Sequence, residues 1–531
     1  MSKSRRQDFA YGAILLSLSG FLVKLIGAVF RIPLTNLVGT QAMSFYSSSY
    51  SIYIFLLSLA TSGLPTGIAA MISKSLALGK HKDIPRIIKI AASIFVTLGG
   101  VLSVLGFIFA PQIAEIMNSK EAYYAVAAIM PAIFNIAVVS VFKGFFQGYN
   151  NMAPTAISNL VEAAVKLCAG YGIAYYMFNH GYPLEQVVGG AIFGVTLSTY
   201  AAMIFMTLRY VFRDKSYKVN VSDFINDVGT PKKELVRTFL IISLPIMVSS
   251  ISANLMGAID AFTVMNRLKS FMPLEEAQML WGSYGNMVLT LFNLPSFFIV
   301  SIGMSLIPTI SGAYAKKNDE LVQRTIHRAY TYSSIIAFGC AFGLCGIANR
   351  ALLLFFPGAN NAASVEAATP LLEILCFALV CVGLSNITGS ILQAIGKSYL
   401  PVISVTVGAC IKTLMTWILV SIPELNIYGA PIATNIAYPV MVIMNFIFIK
   451  KHIGGKPNII AVFLKPLIAG VSCFVAVKLF MYLFELFLPP RIALFPTIIC
   501  AGAIYLLVIS MCKLVSFNEI KGIFLKNKQG S

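Results

Sequence analysis

Seven lysine or arginine residues lie within stretches of this sequence that are otherwise apolar enough to cross a membrane. They are Lys24, Arg31, Lys143, Lys166, Lys412, Lys465 and Lys478. A charged side chain near the centre of a bilayer costs roughly 2.5–3.5 kcal/mol on insertion scales, so it normally faces a cavity or a partner. Acidic residues in the same stretches are fewer, chiefly Glu162, Asp260 and Glu373. This imbalance predicts a cavity of positive potential, which suits an anion.

The first half of the chain holds most of these cations. They are Lys24, Arg31, Lys143 and Lys166, with Glu162 as the one acid among them. Cations that converge on one site are what a diphosphate needs, because arginine offers bidentate contacts and lysine a point charge. We therefore predict these four basic residues as a diphosphate-binding set.

The same residues also have plainer structural interpretations. Glu162 and Lys166 are four residues apart, so they share a helix face and can neutralise each other. Lys143 and Arg31 can lie near helix ends and extend their charges to the membrane surface. Three residues are interpreted as coupling or structural charges: Glu162, Asp260 and Lys412.

The composition places these residues in a polytopic membrane protein. The chain has 531 residues, of which 58% are hydrophobic and 11% charged, with apolar runs along its whole length. At about 20 apolar residues per crossing, fourteen spans are predicted, near 11–34, 46–73, 90–111, 125–147, 156–178, 187–211, 238–264, 282–313, 329–355, 368–394, 401–422, 430–449, 459–484 and 492–513. The net charge of +19 does not indicate nucleic-acid binding, since the cations lie between apolar spans.

The distribution of lysine and arginine predicts the orientation of the spans. Basic clusters precede the first span and recur after every second span, whereas the alternate loops hold few basic residues. By the positive-inside rule, both termini are cytoplasmic. The first span is expected to be retained, because no small-residue cleavage site follows it.

Two anchors recur at an interval of about 245 residues. Gln147, Pro154 and Lys166 correspond to Gln393, Pro401 and Lys412, and Pro65-Thr66 corresponds to Pro308-Thr309. Repetition of this kind predicts two six-helix lobes related by pseudo-two-fold symmetry, with a substrate cavity between them. The predicted divisions are an N-lobe at 1–211, a cytoplasmic linker at 212–237, a C-lobe at 238–452, and two further helices with a cytoplasmic tail at 453–531.

Motifs for catalysis or metal binding are not found in the sequence. It contains no Walker-type phosphate loop and no HExxH, and its nine cysteines form no CxxC pair. We therefore expect no enzymatic activity, no metal and no cofactor. Gly63-Leu64-Pro65 and Asn293-Leu294-Pro295 lie within spans and predict broken or bent helices that line a cavity or act as hinges.

Three strings carry a family resemblance over nearly the whole chain: KLIGAVFRIPLTNLVG, GLPTGIAAMISK and FQGYNNMAPTAISNLVEAAVK. They resemble the polysaccharide-export branch of the multidrug/oligosaccharidyl-lipid/polysaccharide (MOP) flippase superfamily. Within that branch, the sequence is most similar to the stage V sporulation protein B family and its Gram-positive MurJ-type lipid II flippase relatives.

The resemblance implies a V-shaped, two-lobed helical carrier in the bacterial cytoplasmic membrane, with cell-wall synthesis proteins as partners and a monomer as the working form. Such a carrier moves an undecaprenyl-pyrophosphate-linked peptidoglycan precursor, lipid II, by alternating access, driven by the membrane potential or a monovalent cation. Arginines of the first helix meet the diphosphate in MurJ-type proteins, and by position they match Lys24 and Arg31. The two last helices would hold the polyprenyl tail.

Three alternative functions are weighed against this one. The substrate of the same kind of flippase could be another lipid-linked polysaccharide. A multidrug exporter of the same fold would use Asp260 or Glu162 as its proton or sodium site. A membrane scaffold for envelope or spore-coat assembly would leave the buried cations dispensable.

Overall fold

The computed structural model describes residues 3–117, 119–213, 229–296, 310–314, 318–357, 362–454, 458–512 and 514. Within these ranges the chain is almost entirely helical, which confirms the all-α class. It divides into two compact units, Met1–Asn286 and Met287–Ser531. The lobe, linker and tail boundaries drawn from the sequence stay a prediction, and most of the linker (214–228) and of the tail (515–531) lies outside the described residues.

The first unit is built from eleven described α-helices. In chain order they are α1 Lys3–Thr61, α2 Leu64–Ala77, α3 Asp83–Ile108, α4 Ala110–Ile116, α5 Tyr123–Ile129, α6 Pro131–Gly148, α7 Ala153–Val165, α8 Tyr171–Asn179, α9 Leu184–Val211, α10 Lys232–Leu268 and α11 Leu274–Gly282. Two π-helical segments, Lys166–Gly170 and Ser283–Val288, follow α7 and α11.

The second unit holds seven α-helices described over their whole length, and its residues 289–296 and 310–314 are helical as well. The seven are α12 Asp319–Phe355, α13 Ala362–Cys376, α14 Ala378–Ala394, α15 Tyr399–Leu419, α16 Gly429–Ile453, α17 Lys465–Glu485 and α18 Pro490–Met511. A π-helical segment, Ile460–Leu464, precedes α17.

Thirteen of the fourteen predicted spans overlap one or more of these helices. The eighth, 282–313, meets α11 only at Gly282, and its residues 297–309 lie outside the described part of the chain. In the described part of the chain, nine helices are long and apolar enough to cross a membrane, or ten when the bent pair α13 and α14 counts as one span. The recurring Pro308-Thr309 lies outside the described residues, so that half of the repeat is not observed.

Two glycines interrupt the helical backbone in the N-terminal part of the chain, where the sequence predicts the spans 11–34 and 46–73. Gly39 has φ 78° and ψ 169° and interrupts the helical backbone inside α1. Gly63 has φ 77° and separates α1 from α2. Positive φ is a conformation that glycine adopts without steric cost. The break expected at Gly63-Leu64-Pro65 is therefore confirmed, and the break at Gly39 falls in the interval between the predicted spans 11–34 and 46–73.

Apolar packing fixes α1 in the middle of the first unit. Its buried residues Phe30, Leu34 and Tyr46 share one core with Ile129 of α5 and Ile192 of α9. A second core joins α2, α3, α6 and α10. These contacts hold the two arms of α1 against α5 and α9, from which the candidate site is built.

The last two helices pack on α12 within the second unit. Cys473 and Val477 of α17 and Tyr505 of α18 lie in one cluster with Ile335 of α12. The hydroxyl of Tyr505 donates a hydrogen bond to the carbonyl oxygen of Ile335. At the other end of α12 and α17, Arg350 Nε lies 2.7 Å from Glu485 Oε1.

Candidate anion-binding site

Arg31 lies over two tyrosines that come from the other arm of its own helix. Its Cζ is 5.5 Å from the ring centroid of Tyr46 and 5.2 Å from that of Tyr50. The helical backbone is interrupted at Gly39, between residue 31 and these tyrosines. This break lets the two arms of one helix supply both the cation and the rings. A guanidinium within about 6 Å of a ring centroid is attracted by the ring quadrupole.

Lys166 reaches the same group of rings from a different helix. Its Nζ is 5.2 Å from the ring centroid of Phe30 and 5.1 Å from that of Tyr50. Tyr50 therefore contacts both cations, and its ring stacks on Tyr46 at 5.5 Å. Arg31 and Lys166 thus meet around one aromatic ring.

Lys166 is the first residue of the π-helical segment Lys166–Gly170. Single π-helical turns within longer helices occur often at functional sites. This one approaches α9 closely: a Cβ on Gly194 would lie 2.2 Å from Gly170 Cα, and a Cβ on Gly170 would lie 2.8 Å from Phe30 Cε2. Only glycines allow the segment to lie at this depth beside Phe30.

Lys143 and Glu162 form a polar group next to the two cations. Lys143 Nζ donates a hydrogen bond of 2.7 Å to Asn159 Oδ1. Glu162 lies within electrostatic range of Lys143 and of Tyr53. The ring of Tyr53 is 5.7 Å from that of Tyr50, so this group adjoins the aromatic rings on one side.

The pairing of Glu162 with Lys166 that the four-residue interval allows is not formed. No ion pair within 4.0 Å joins them, although both residues belong to the described part of the chain. Each residue has partners on other helices instead. Lys166 lies over the rings of Phe30 and Tyr50. Glu162 lies within electrostatic range of Lys143 and Tyr53. Lys166 is therefore not neutralised by its own helix.

The structure does not gather every residue predicted for the site. Lys24 lies two turns before Arg31 on α1, about 10 Å along the axis, and its side chain is exposed. Asp260 is buried in α10 of the same unit. Lys412 belongs to the second unit, where it lies half-buried in α15. The structure brings Arg31 and Lys166 together, but all the assigned roles stay predictions: substrate binding by Lys24, Arg31, Lys143 and Lys166, and coupling or structural roles for Glu162, Asp260 and Lys412.

The charge around Tyr50 is positive. Neither Arg31 nor Lys166 forms an ion pair with a carboxylate among the residues that the structure describes. Two like charges near one ring repel each other, and an anion between them would relieve that repulsion. Arginine and lysine together match a diphosphate better than a single carboxylate.

The family model described as "Polysaccharide biosynthesis protein" matches residues 9–314, more than half of the chain. The chain belongs to this family. A second model, MatE, matches residues 245–418. Both families fall within the MOP superfamily, as the sequence predicted.

Three relatives of this family member come from Bacillus subtilis (strain 168). The membrane protein YabM is 26% identical over 82% of this chain and 78% of its own. Stage V sporulation protein B is 22% identical over 98% of both chains. The lipid II flippase MurJ is 23% identical over 85% of this chain and 84% of its own. Of these three relatives, MurJ is the one whose name states a transport activity.

Solved structures share the fold of this family member. A lipid II flippase MurJ in an inward closed conformation gives a TM-score of 0.70 at 15% identity, covering 94% of this chain and 98% of that one. An inward-facing multidrug resistance MATE transporter of the MOP superfamily gives 0.68 at 15% identity, covering 83% and 98%. The chain is accordingly a multi-pass membrane protein with the fold of MOP transporters.

Sequence reasoning chose Arg31 and Lys166 but passed over their aromatic partners. Tyr46, Tyr50 and Tyr53 follow one another at intervals of four and three residues, which places them on one helix face. This interval was visible in the sequence. It gave no reason to join the tyrosines to Arg31, because that contact depends on the break at Gly39.

Proposed function

We propose that this protein moves a lipid-linked glycan with a diphosphate group, of the lipid II kind, across the bacterial cytoplasmic membrane by alternating access. The observation that carries the proposal is the meeting of Arg31 and Lys166 around Tyr50. The relatives that are lipid II flippases support the same substrate class. In this function the protein breaks and forms no covalent bond.

The two cations have complementary roles in binding the diphosphate. Arg31 donates a bidentate pair of hydrogen bonds to one phosphate, and Lys166 offers a point charge to the other. The rings of Phe30, Tyr46 and Tyr50 hold both cations in place before the substrate arrives. Positioning of this kind lowers the entropy lost on binding.

Lys24 and Lys143 extend the cationic surface in this proposal. Lys24, on the exposed face of α1, meets the diphosphate earlier or later in the cycle than Arg31. Glu162 is the carboxylate nearest to the site, held near Lys143 and Tyr53. It is the residue that we assign to coupling with a monovalent cation, whereas the membrane potential acts on the net charge of the substrate.

Topology and assembly follow from the same proposal. Both termini face the cytoplasm, because the basic loops alternate with loops poor in lysine and arginine. The protein acts as a monomer beside cell-wall synthesis proteins, and the last two helices, α17 and α18, accommodate the polyprenyl tail.

A cation-coupled multidrug exporter is the second candidate. The MatE match covers Asp260, which is buried in α10. An exporter would raise resistance to cationic dyes without an envelope phenotype, and Asp260→Asn would abolish that resistance. A drug-sensitivity panel separates the two functions.

The decisive experiment is complementation of a lipid II flipping defect by Arg31→Ala. Loss of a charge-assisted contact predicts activity that is about 10- to 100-fold lower, with unchanged abundance in the membrane. Arg31→Lys keeps the charge and recovers part of the activity. Arg324→Ala, at an exposed residue of α12, serves as the matched control and complements fully. Full complementation by Arg31→Ala would refute the role of Arg31.

A further inference from the structure

A second basic site lies at the ends of α3 and α10, away from the residues around Tyr50. A cavity of about 710 Å³ opens between the first turns of these two helices. It is lined by three basic residues, three apolar ones and one serine: Arg86, Lys89, Lys232, Ile90, Ile94, Val236 and Ser93. Ligand sites typically measure about 300–1,000 Å³.

The three cations of this cavity lack acidic partners within the described residues. No ion pair within 4.0 Å joins Arg86, Lys89 or Lys232 to a carboxylate there. Arg86 Nη1 makes a long hydrogen bond of 3.4 Å to the carbonyl oxygen of Thr230, which leaves most of its donors unused. Three like charges around one cavity indicate an anionic ligand.

A set of hydrogen bonds holds the two helix ends together and shapes the cavity. The buried carboxylate of Asp83 accepts hydrogen bonds from Thr230 N at 2.8 Å and from Thr230 Oγ1 at 2.6 Å. Lys80 Nζ adds a bond of 3.2 Å to the same hydroxyl. Further along the helices, Phe95 and Phe239 pack edge to face with centroids 5.7 Å apart. The cavity is therefore a fixed feature of the fold.

The surfaces that continue from the cavity favour a lipid over a soluble phosphate. Further along, both helices expose apolar side chains: Leu98, Val101 and Leu105 on α3, and Leu240, Ile241 and Leu244 on α10. A basic pocket that continues into exposed apolar helix surface matches a phosphate headgroup with its acyl chains.

We propose that this cavity binds the headgroup of an anionic phospholipid, with the acyl chains along the exposed surfaces of α3 and α10. Arg86, Lys89 and Lys232 contact the phosphate. The lipid would thereby bridge α3 to the first turn of α10, beside the Asp83–Thr230 hydrogen bonds. The site is independent of the one around Tyr50, so the proposal does not depend on the glycan substrate.

The test is a titration of the purified full-length protein in neutral detergent, with bound lipid counted by native mass spectrometry. The probes are phosphatidylglycerol, phosphatidylcholine and inorganic phosphate. Phosphatidylglycerol is expected to be retained in preference to phosphatidylcholine. The triple variant Arg86→Gln/Lys89→Gln/Lys232→Gln should weaken its binding about 100-fold.

Two further variants make the result specific. Lys89→Gln/Lys232→Gln keeps the bond from Arg86 to Thr230 and should weaken binding about thirtyfold, which decides the question if the triple variant misfolds. Arg324→Gln/Lys450→Gln/Lys451→Gln removes the same charge from exposed residues elsewhere and should bind lipid as the unmodified protein does.

Three outcomes would overturn the proposal. Equal loss in the Arg324, Lys450 and Lys451 variant would show a general effect of charge. Equal retention of phosphatidylcholine would show that the headgroup is not recognised. Displacement of phosphatidylglycerol by an equal concentration of inorganic phosphate would assign the cavity to a soluble phosphate.

Discussion

One local pattern, a glutamine, a proline and a lysine, leads to different structures in the two units. In the first unit, Lys166 begins a π-helical segment and lies over Phe30 and Tyr50. In the second, Lys412 lies within the uninterrupted α-helix α15. The interval between the two lysines is 246 residues. Equivalent positions in the sequence therefore do not imply equivalent sites.

Glycines stand in the second unit where the first has charges. Counted at the interval that separates Lys166 from Lys412, Gly389 corresponds to Lys143 and Gly408 to Glu162. Gly408 lies against Met441 of α16, where an added Cβ would be 2.1 Å from Met441 Cε. The position that holds a carboxylate in the first unit thus allows close packing of two helices in the second.

The strongest test of this comparison replaces the two lysines separately. Lys166→Ala removes one of the cations around Tyr50 and should lower transport of a fluorescent lipid-linked diphosphate in proteoliposomes about 10- to 100-fold. Lys412→Ala should change transport by less than about threefold, since Lys412 lies in an uninterrupted α-helix of the second unit, whereas Lys166 begins a π-helical segment beside Phe30 and Tyr50. Equal losses in the two variants would show that both units bind the substrate in the same way.

A second test compares the close glycine contacts of the two units. Gly194→Ala and Gly408→Ala should each lower the free energy of unfolding by about 1–3 kcal/mol, because both sites are too tight for a methyl group. Gly194→Ala should also reduce transport, because it displaces the π-helical segment that carries Lys166. Thermal unfolding in detergent and the proteoliposome assay measure the two effects.

Gly502→Ala is the matched control for these variants, because a Cβ there meets no atom within 4 Å. It should leave transport unchanged and keep or slightly raise stability, as alanine favours a helix more than glycine does. If Gly194→Ala lowers stability but leaves transport intact, the position of the π-helical segment does not matter for function.

The smallest expected effect concerns Tyr50. Tyr50→Leu removes a ring shared by two cations and should weaken binding of a diphosphate lipid about 5- to 30-fold, from two cation–π contacts of about 0.5–1 kcal/mol each. Tyr50→Phe keeps the ring and should bind as the unmodified protein does. A loss of the same size in Tyr50→Phe would assign the role to the hydroxyl instead of the ring.

Hydropathy predicts the helices of this protein well, because a bilayer requires long apolar segments with internally satisfied backbone groups. The charges in those segments indicate Arg31 and Lys166 as candidate site residues, because a charged side chain in a bilayer costs free energy and normally faces a cavity or a partner. The rings that hold them are less predictable. Their contact with Arg31 depends on Gly39, whose positive φ has no signature in the surrounding residues.

Other features lie beyond a local rule for the same reason. The four-residue interval favours pairing of Glu162 with Lys166, yet partners from α1 and α6 separate them. The π-helical segment packs closely against Gly194 of α9, and no spacing of residues in the sequence predicts it. In the sequence, the basic residues near the ends of α3 and α10 indicate only which side of the membrane their loops occupy. Their position around one cavity is visible only in the structure.

The break at Gly39 has a mechanical consequence. Arg31 belongs to one arm of α1, and Tyr46 and Tyr50 belong to the other. A change in the angle between the arms alters the gap between the guanidinium and the rings directly, without a relay through other helices. An anion bound in that gap would contact both arms of α1. Its binding and release would therefore be coupled to the angle of the bend at Gly39.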